Sequence, residues 1–376
     1  MSEQRKKTQD DGGASAGIAW TEQTWNPVMG CSKVSAGCTN CYAEKMAARF
    51  SGEGQPFHGL SDGKRWTGAV RFRADRLDQP LRWTRPRLVF VNSVSDLFHE
   101  ALSFHEIGAI FAVMAASTKH TFQVLTKRPK RMLEFFAWLE AQMRDTWHPH
   151  GNTTQDDHAA RMEVLRGCFG MHHEGRLPTL PTVWPLPNVW LGVSTEDQAS
   201  ADERIPLLLQ APAAVRWISA EPLIGLLELH KWLRGVCPSC GSTSYPDDHD
   251  LEMTCQICAT LRPDDEAFDG WPVRLDWVVV GGESGQGARP CWHGWLWTIV
   301  DDCQSAGVPV FVKQLGAVYM DALNGLMGHN AKELRDPVNE ETILARRLAH
   351  PKGGDVSEWP ERLRVREWPR GYTPTP

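Results

Sequence analysis

Short runs of β-branched and aromatic residues recur along the chain. They are Leu88 to Asn92 (LVFVN), Thr121 to Leu125 (TFQVL), Val189 to Val193 (VWLGV), Val215 to Ser219 (VRWIS), Trp277 to Val280 (WVVV) and Val308 to Val312 (VPVFV). A further run is expected around Ile18 to Thr21. Stretches long enough for helices separate them, which predicts an α/β fold with six or seven parallel strands. Each run ends in polar or glycine residues: Ser93, Ser95 and Asp96; Thr126, Lys127 and Arg128; Ser194, Glu196 and Asp197; Glu221; Gly281, Gly282 and Glu283; Lys313 and Gln314. In a parallel barrel the loops after the strands share one face, where ligands bind. Taken singly, such residues also read as helix caps and turns. The recurrence of Lys, Arg and Glu directly after the runs favours a partial or near-complete parallel (β/α) barrel.

Polar and glycine-containing residues 1–16 read as a flexible tail, and the barrel is expected over 17–325. Residues 141–187, with HPHGNTTQDDH and a proline-rich stretch, read as a surface insertion. Residues 230–272 read as a second insertion, and 326–376 as a C-terminal extension wrapping the outside.

Composition narrows the class. With 376 residues, 41% hydrophobic and 23% charged, the chain resembles ordinary soluble domains. No apolar run approaches the roughly 18 residues of a membrane span, and the N-terminus lacks a signal-peptide core, so a cytoplasmic protein is expected. A net charge of −6 argues against broad binding to duplex DNA. Several of the 17 Trp lie inside strand-like runs and read as core or pocket wall. No Walker loop or HExxH sequence occurs.

Seven of the ten cysteines fall into two tight clusters, which in a reducing compartment points to metal. In WNPVMGCSKVSAGCTNCYAE, Cys31, Cys38 and Cys41 stand at spacing C-x6-C-x2-C, with Gly30 and Gly37 allowing a tight loop. Three thiolates are one short of a closed site, which suits a [4Fe–4S] cluster with one open iron. A zinc site completed by His or an acidic residue, and a purely structural cluster, are the alternatives. Cys237, Cys240, Cys255 and Cys258 form two C-x2-C knuckles fourteen residues apart, the spacing of a zinc ribbon, with an auxiliary iron–sulfur cluster as alternative. The acidic flanks of that ribbon favour a structural or protein-contact role over nucleic-acid binding.

The string NPVMGCSKVSAGCTNCYAE resembles the NPYxGCxxxCxYCYA motif of spore photoproduct lyase and its radical S-adenosylmethionine (radical SAM) relatives. Asn26, Pro27, Gly30, Cys31, Cys38, Cys41, Tyr42 and Ala43 align once three extra residues are allowed between the first two cysteines, and Asn40 stands where an aromatic is usual. The wider pattern NSVSDLFHE, VLTKRP, WLGVSTEDQ, SAEPL, VVVGGESGQGARP and FVKQLG is similar to a phage-associated three-cysteine family regarded as radical SAM-like. The resemblance implies a cluster that cleaves S-adenosylmethionine to a 5′-deoxyadenosyl radical, which abstracts a substrate hydrogen. It further implies an electron donor such as flavodoxin or ferredoxin, admits a partner protein, and points to a nucleobase or nucleotide as substrate.

By the same resemblance, Ser93, Ser95 and Asp96 would hold the methionine end of S-adenosylmethionine, and Ser194, Glu196 and Asp197 its ribose. Gly281, Gly282, Glu283 and Tyr42 join the cofactor-binding set. Lys127 is expected, with Arg128, to bind a carboxylate or phosphate, and Cys291 to act as a hydrogen donor beside Glu283. Glu221 and Lys313 are weaker candidates. The competing reading is a non-catalytic zinc or iron–sulfur module that recognises a protein or nucleic-acid partner.

Overall fold

A computed structural model describes residues 18–146, 154–233, 274–321, 332–335, 342–346 and 348–373. Among them, seven parallel strands form one sheet in sequential order. They are β1 (Gln23–Trp25), β2 (Leu88–Val91), β3 (Thr121–Thr126), β4 (Val189–Ser194), β5 (Val215–Ala220), β6 (Trp277–Gly281) and β7 (Val310–Gln314). The sheet is a half-barrel, the partial parallel barrel that the alternating pattern predicts. β1 lies later than the expected Ile18 to Thr21, because the chain turns there: Thr21 N–H donates to Ile18 O at 3.2 Å. β7 also starts late, since Pro309 has no N–H for the ladder and contributes only its carbonyl, 3.1 Å from Val278 N.

Alternation along the strands builds two cores. Val89, Val91, Phe122, Val124, Leu191, Val193, Ile218, Val278 and Val280 belong to the core shared with the helices. The longer helices are α1 (Tyr42–Arg49), α2 (Phe104–Ala116), α3 (Pro129–Thr146), α4 (Thr154–His172), α5 (Gln198–Leu209) and α6 (His293–Ser305). α2 starts with a capping box in which Ser103 Oγ accepts from Glu106 N–H at 3.2 Å. α4 falls in the stretch read as a surface insertion, yet it packs along α2 and buries Leu165, Cys168 and Phe169. No helix among the described residues is long and apolar enough to cross a membrane.

The alternate residues Phe90, Trp190, Trp217, Trp277 and Phe311 form the second core with Trp20. Trp217 lies 5.2 Å from Trp20 and 5.4 Å from Trp277, ring centre to ring centre. These indoles pave the inner face of the half-barrel as core, and Trp20 among them also lines the cavity above.

The C-terminal extension does more than wrap the outside. Val365 O accepts from Val312 N at 2.9 Å and Arg366 bridges to Phe311, covering the free edge of β7. Trp368 then stacks on Trp277 at 5.5 Å, and Tyr372 meets Trp190 at 5.2 Å, so this segment closes the inner floor. A small sheet of Lys332–Arg335, Thr342–Arg346, Tyr319–Asp321 and Cys291–Trp292 spans the boundary placed at 325. The four ribbon cysteines, Cys237, Cys240, Cys255 and Cys258, lie outside the described residues.

Candidate functional site

With an apolar floor below, the carboxyl ends of the strands enclose a cavity of about 290 Å³. That is near the lower edge of the ~300–1,000 Å³ usual for small-molecule sites. Its floor is Trp20, Phe90 and Leu125; polar walls come from Asn92, Ser93, Ser95, Lys127, Ser194, Ser219, Glu221 and Lys313. Cys31, Cys38 and Cys41 all line the same cavity, on the loop that leads into α1.

Local chemistry dictates the path of this cysteine loop. Gly30 has φ +94°, and a Cβ there would stand 2.3 Å from Ala69 O, so both backbone and space demand glycine. Gly37 is glycine for another reason: a Cβ would meet Glu196 Oε1 at 2.2 Å. Ser35, at the entry to a 3-10 turn (Ala36–Cys38), donates its hydroxyl to Glu196 Oε1 at 2.7 Å and makes no cap bond. Ser32 Oγ accepts from Arg128 Nη2 at 2.8 Å. It also accepts from His99 Nε2 at 2.9 Å, because His99 Nδ1 already accepts from Ala101 N–H. Asn40 Nδ2 donates to Glu283 Oε2 at 3.0 Å and to Gly287 O at 2.9 Å.

The strand-end charges are paired among themselves. Glu196, 1% exposed, takes Lys127 and Arg204 as ion partners, the latter at 3.0 Å. Burial alone would raise its carboxyl pKa, but Lys127, Arg204 and the Ser35 bond hold it below the ordinary value. Glu283 behaves alike: burial pushes it up, and bonds from Arg289 and Asn40 bring it down overall. Asp96 accepts from Thr126 Oγ1 at 2.7 Å, from Lys127 N at 3.1 Å and from Arg128 Nη1 at 3.1 Å. Arg128 thereby ties Asp96 and Glu100 to Ser32, beside Cys31. Lys313 Nζ sits 2.8 Å from Glu221 Oε1, and Trp20 Nε1 donates to the other carboxylate oxygen at 3.3 Å.

The candidates from the sequence therefore divide. Ser93, Ser95, Asp96, Lys127, Ser194, Gly282, Glu283 and Tyr42 line the cavity together with the three cysteines. Ser95 Oγ is bonded to Val28 O at 3.0 Å, and the Tyr42 hydroxyl donates to Ser93 O. Glu196 and Asp197 do not line it: Glu196 is buried beneath the cysteine loop, and Asp197 caps α5, its carboxylate accepting from Ser200 N–H at 2.9 Å. Gly281 also stays out of the lining; a Cβ there would meet Glu221 Oε1 at 2.9 Å. The tandem glycines thus make room for neighbouring protein atoms: a Cβ on Gly282 would lie 2.3 Å from Leu315 O and 2.8 Å from Cys291 Cβ. Cys291 is fully buried behind Gly282, away from the cavity, and burial pushes its thiol up to about 12.

Asn40, Ser35, Arg289 and Arg204 are the partners that sequence reasoning missed. Ser35 and Asn40 were signalled by their place inside the cysteine string, whereas Arg204 and Arg289 lie far from it in sequence and carried no signal. Asn92 was missed as well. It holds φ +62°, and its Oδ1 accepts from Val28 N at 3.3 Å, which fixes the exit from β2 at the cavity wall.

Among the described residues, no three His, Cys, Asp or Glu side chains converge closely enough to hold one metal ion. A single zinc ion needs its thiolates about 2.3 Å from a common point, whereas a [4Fe–4S] cluster takes each thiolate on a different iron. The three thiols line one cavity from a single short loop, and a [4Fe–4S] cluster would take them on three different irons. Burial, Asp96 and Cys41 together push the Cys31 thiol up to about 12 against the pull of Arg128, and burial raises Cys41 too. Both are protonated without metal, so ligation displaces protons.

No curated protein and no solved structure matches the chain. One family model, described as "Protein of unknown function (DUF5131)", matches residues 15–351.

Proposed function

The chain belongs to this DUF5131 family, and we propose that it is a radical SAM enzyme built on a half-barrel. One observation carries the reading: the three cysteines of a single short loop line the same cavity as the polar ends of the strands. Cys31, Cys38 and Cys41 hold the cluster, and Asn92, Ser93 and Ser95 stand beside them to receive the methionine end of S-adenosylmethionine. When bound, the cluster and S-adenosylmethionine supply a 5′-deoxyadenosyl radical that takes a hydrogen atom from the substrate.

The protein's own work is to exclude water and to orient. Trp20, Phe90 and Leu125 make a dry floor, and the Lys313–Glu221 pair presents one donor and one acceptor above it. A nucleobase or nucleotide fits such a wall and is the proposed substrate class, with a flavodoxin- or ferredoxin-type protein as electron donor. Phage association, a reducing cytoplasmic setting and Zn²⁺ on Cys237, Cys240, Cys255 and Cys258 complete the proposal.

The test is anaerobic reconstitution with iron and sulfide, counting of iron, sulfide and zinc, then reduction with S-adenosylmethionine present. The expected result is a brown protein that releases 5′-deoxyadenosine and whose Cys38→Ala variant is colourless. A colourless wild-type protein carrying only zinc refutes the reading and favours a non-catalytic module.

A further inference from the structure

We infer that the mouth of the half-barrel is a seat for single-stranded nucleic acid: the base acted on reaches the cavity as part of a strand, whose phosphates stay outside on a basic rim. This rests on the proposed reading of a nucleobase or nucleotide as substrate.

Charge is distributed unevenly along the chain. The whole carries −6, yet residues 31–73, which include the cysteine loop and α1, hold seven Lys and Arg against three Asp and Glu. Two of those acids are turned to internal use. Glu44 is 6% exposed, pairs with Lys33 at 2.6 Å and accepts from Trp66 N–H at 3.1 Å. Asp62 accepts the N–H groups of Lys64 and Arg65, at 2.8 and 2.7 Å, and so shapes its own loop. Arg49, Lys64 and Arg65 are exposed and make no ion pair among the described residues. Lys45 donates to Gln286 O at 3.1 Å and Arg71 to His58 O at 2.7 Å, bonds that leave their charge unneutralised.

These bases stand round the cavity. Val34, Tyr42 and Trp66 line it, and Lys33 and Arg65 are the chain neighbours of the first and last. Lys45 lies one turn along α1 from Tyr42, and Arg49 continues the same exposed face. Aromatic residues are interleaved with them. Tyr42 is 57% exposed although its hydroxyl is tied to Ser93 O, so its ring is a fixed, open face at the cavity edge. Trp66 packs on Phe57 at 6.1 Å, and Phe50, 41% exposed, follows Arg49. Cations that track a backbone beside aromatic faces that stack bases are how proteins hold single strands.

Inside the cavity the cations are matched, Lys127 by Glu196 and Lys313 by Glu221. A phosphate drawn in would have to part such a pair, whereas at the rim it meets bases without a carboxylate. At about 290 Å³ the space suits a base and not a strand. Base inside and backbone outside is the arrangement of enzymes that act on an unstacked base. An acidic protein would be drawn to the same charge, but the open Tyr42 ring beside a base-sized cavity favours the strand.

The test is fluorescence anisotropy of a labelled single strand of about 12 nucleotides. It uses the full chain, as purified and after reconstitution with iron and sulfide. A Kd of roughly 1–100 μM is expected at physiological salt. Lys45→Ala/Arg49→Ala should weaken binding about tenfold and lower the slope of log K against log salt by about 1.4, at ~0.7 per phosphate contact. Arg166→Ala/Arg362→Ala removes the same charge from α4 and the C-terminal extension and should change neither. Tyr42→Ala should cost about tenfold, and Tyr42→Phe, which keeps the ring, should cost little.

Circular dichroism checks each fold, and Lys45→Ala/Arg49→Ala, on an exposed face, serves if Tyr42→Ala does not fold. No binding of the strand, equal affinity for a blunt duplex, or an equal loss in Arg166→Ala/Arg362→Ala overturns the inference. So does a rim that binds a flavodoxin in place of the strand. Release of 5′-deoxyadenosine without strand binding leaves the proposed function standing, and strand binding without that release keeps the seat while refuting the radical chemistry.

Discussion

Replacing Gly192 by alanine tests the packing of the barrel interior. Gly192 lies mid-strand in β4, paired with Leu125 on one side and Trp217 on the other. A Cβ at this position would stand 2.5 Å from Trp217 Cε2 and 2.6 Å from its Nε1, in the body of a ring that is fully buried. Ladder bonds on both flanks keep the backbone from retreating, so the cost belongs at the upper end of the ~1–3 kcal/mol typical of overpacking.

At about 2.1 cal/mol/K per residue the unfolding entropy of a chain this size is roughly 0.8 kcal/mol/K, and ~3 kcal/mol lowers Tm by about 4 °C. Trp217→Phe removes no hydrogen bond of the indole, which has no partner among the described residues. It opens a void of roughly 40 Å³, worth about 1 kcal/mol at ~24 cal/mol per Å³. The alanine methyl fills that void, so Gly192→Ala/Trp217→Phe should cost about 2 kcal/mol where the two single changes sum to about 4. Urea unfolding followed by circular dichroism measures all four corners of the cycle. Additivity within ~0.5 kcal/mol would refute the argument that Trp217 is what makes residue 192 a glycine.

Two further outcomes follow from the same kind of reading. His120 is 1% exposed and burial pushes its pKa down to about 4, with Nε2 donating to Pro80 O at 3.1 Å. The unfolded chain binds a proton at His120 near pH 6.5, so this share of stability is complete above about 6.5 and is lost as pH falls towards 4. His120→Phe should flatten that part of the stability–pH curve measured in urea, and an unchanged slope would refute the assignment. Asp197→Ala, which removes the cap of α5, should cost about 1 kcal/mol. S-adenosylmethionine binding by equilibrium dialysis should stay the same, and lost binding with stability kept would return Asp197 to the ligand site.

What the sequence made legible followed from short-range rules. Unbroken apolar runs such as LVFV and WVVV mark strands buried on both faces, and polar residues after each strand mark one mouth, because both signals are local. The site was legible as a set of cysteines and strand ends. The roles within it were not, because they depend on which strand ends the cysteine loop reaches across. Glu196 reads as an exposed strand-end acid until Ser35, 161 positions earlier, is seen against it. Gly37 reads as a residue that allows a tight loop, yet it is small because Glu196 fills its Cβ space. α4 was hidden by charged residues scattered through TQDDHAARMEVLRGCFGMH, which blur its apolar face, and the closing role of Trp368 required knowing that Trp277 lies bare above it.

That closure bears on how the protein is made. Residues 356–373 are translated after all seven strands, and Trp277 Nε1 meets its acceptor, Glu367 O at 2.8 Å, only when they arrive. Until then the nascent half-barrel shows bare indoles where Trp368 and Tyr372 later lie. Such exposed apolar surface recruits chaperones and invites aggregation. The late segment reaches the mouth as well, at β7, where Arg366 Nη2 donates to Lys313 O at 3.4 Å. The floor of the half-barrel therefore closes only once residues 356–373 have been made, after the seven strands and the cysteine loop.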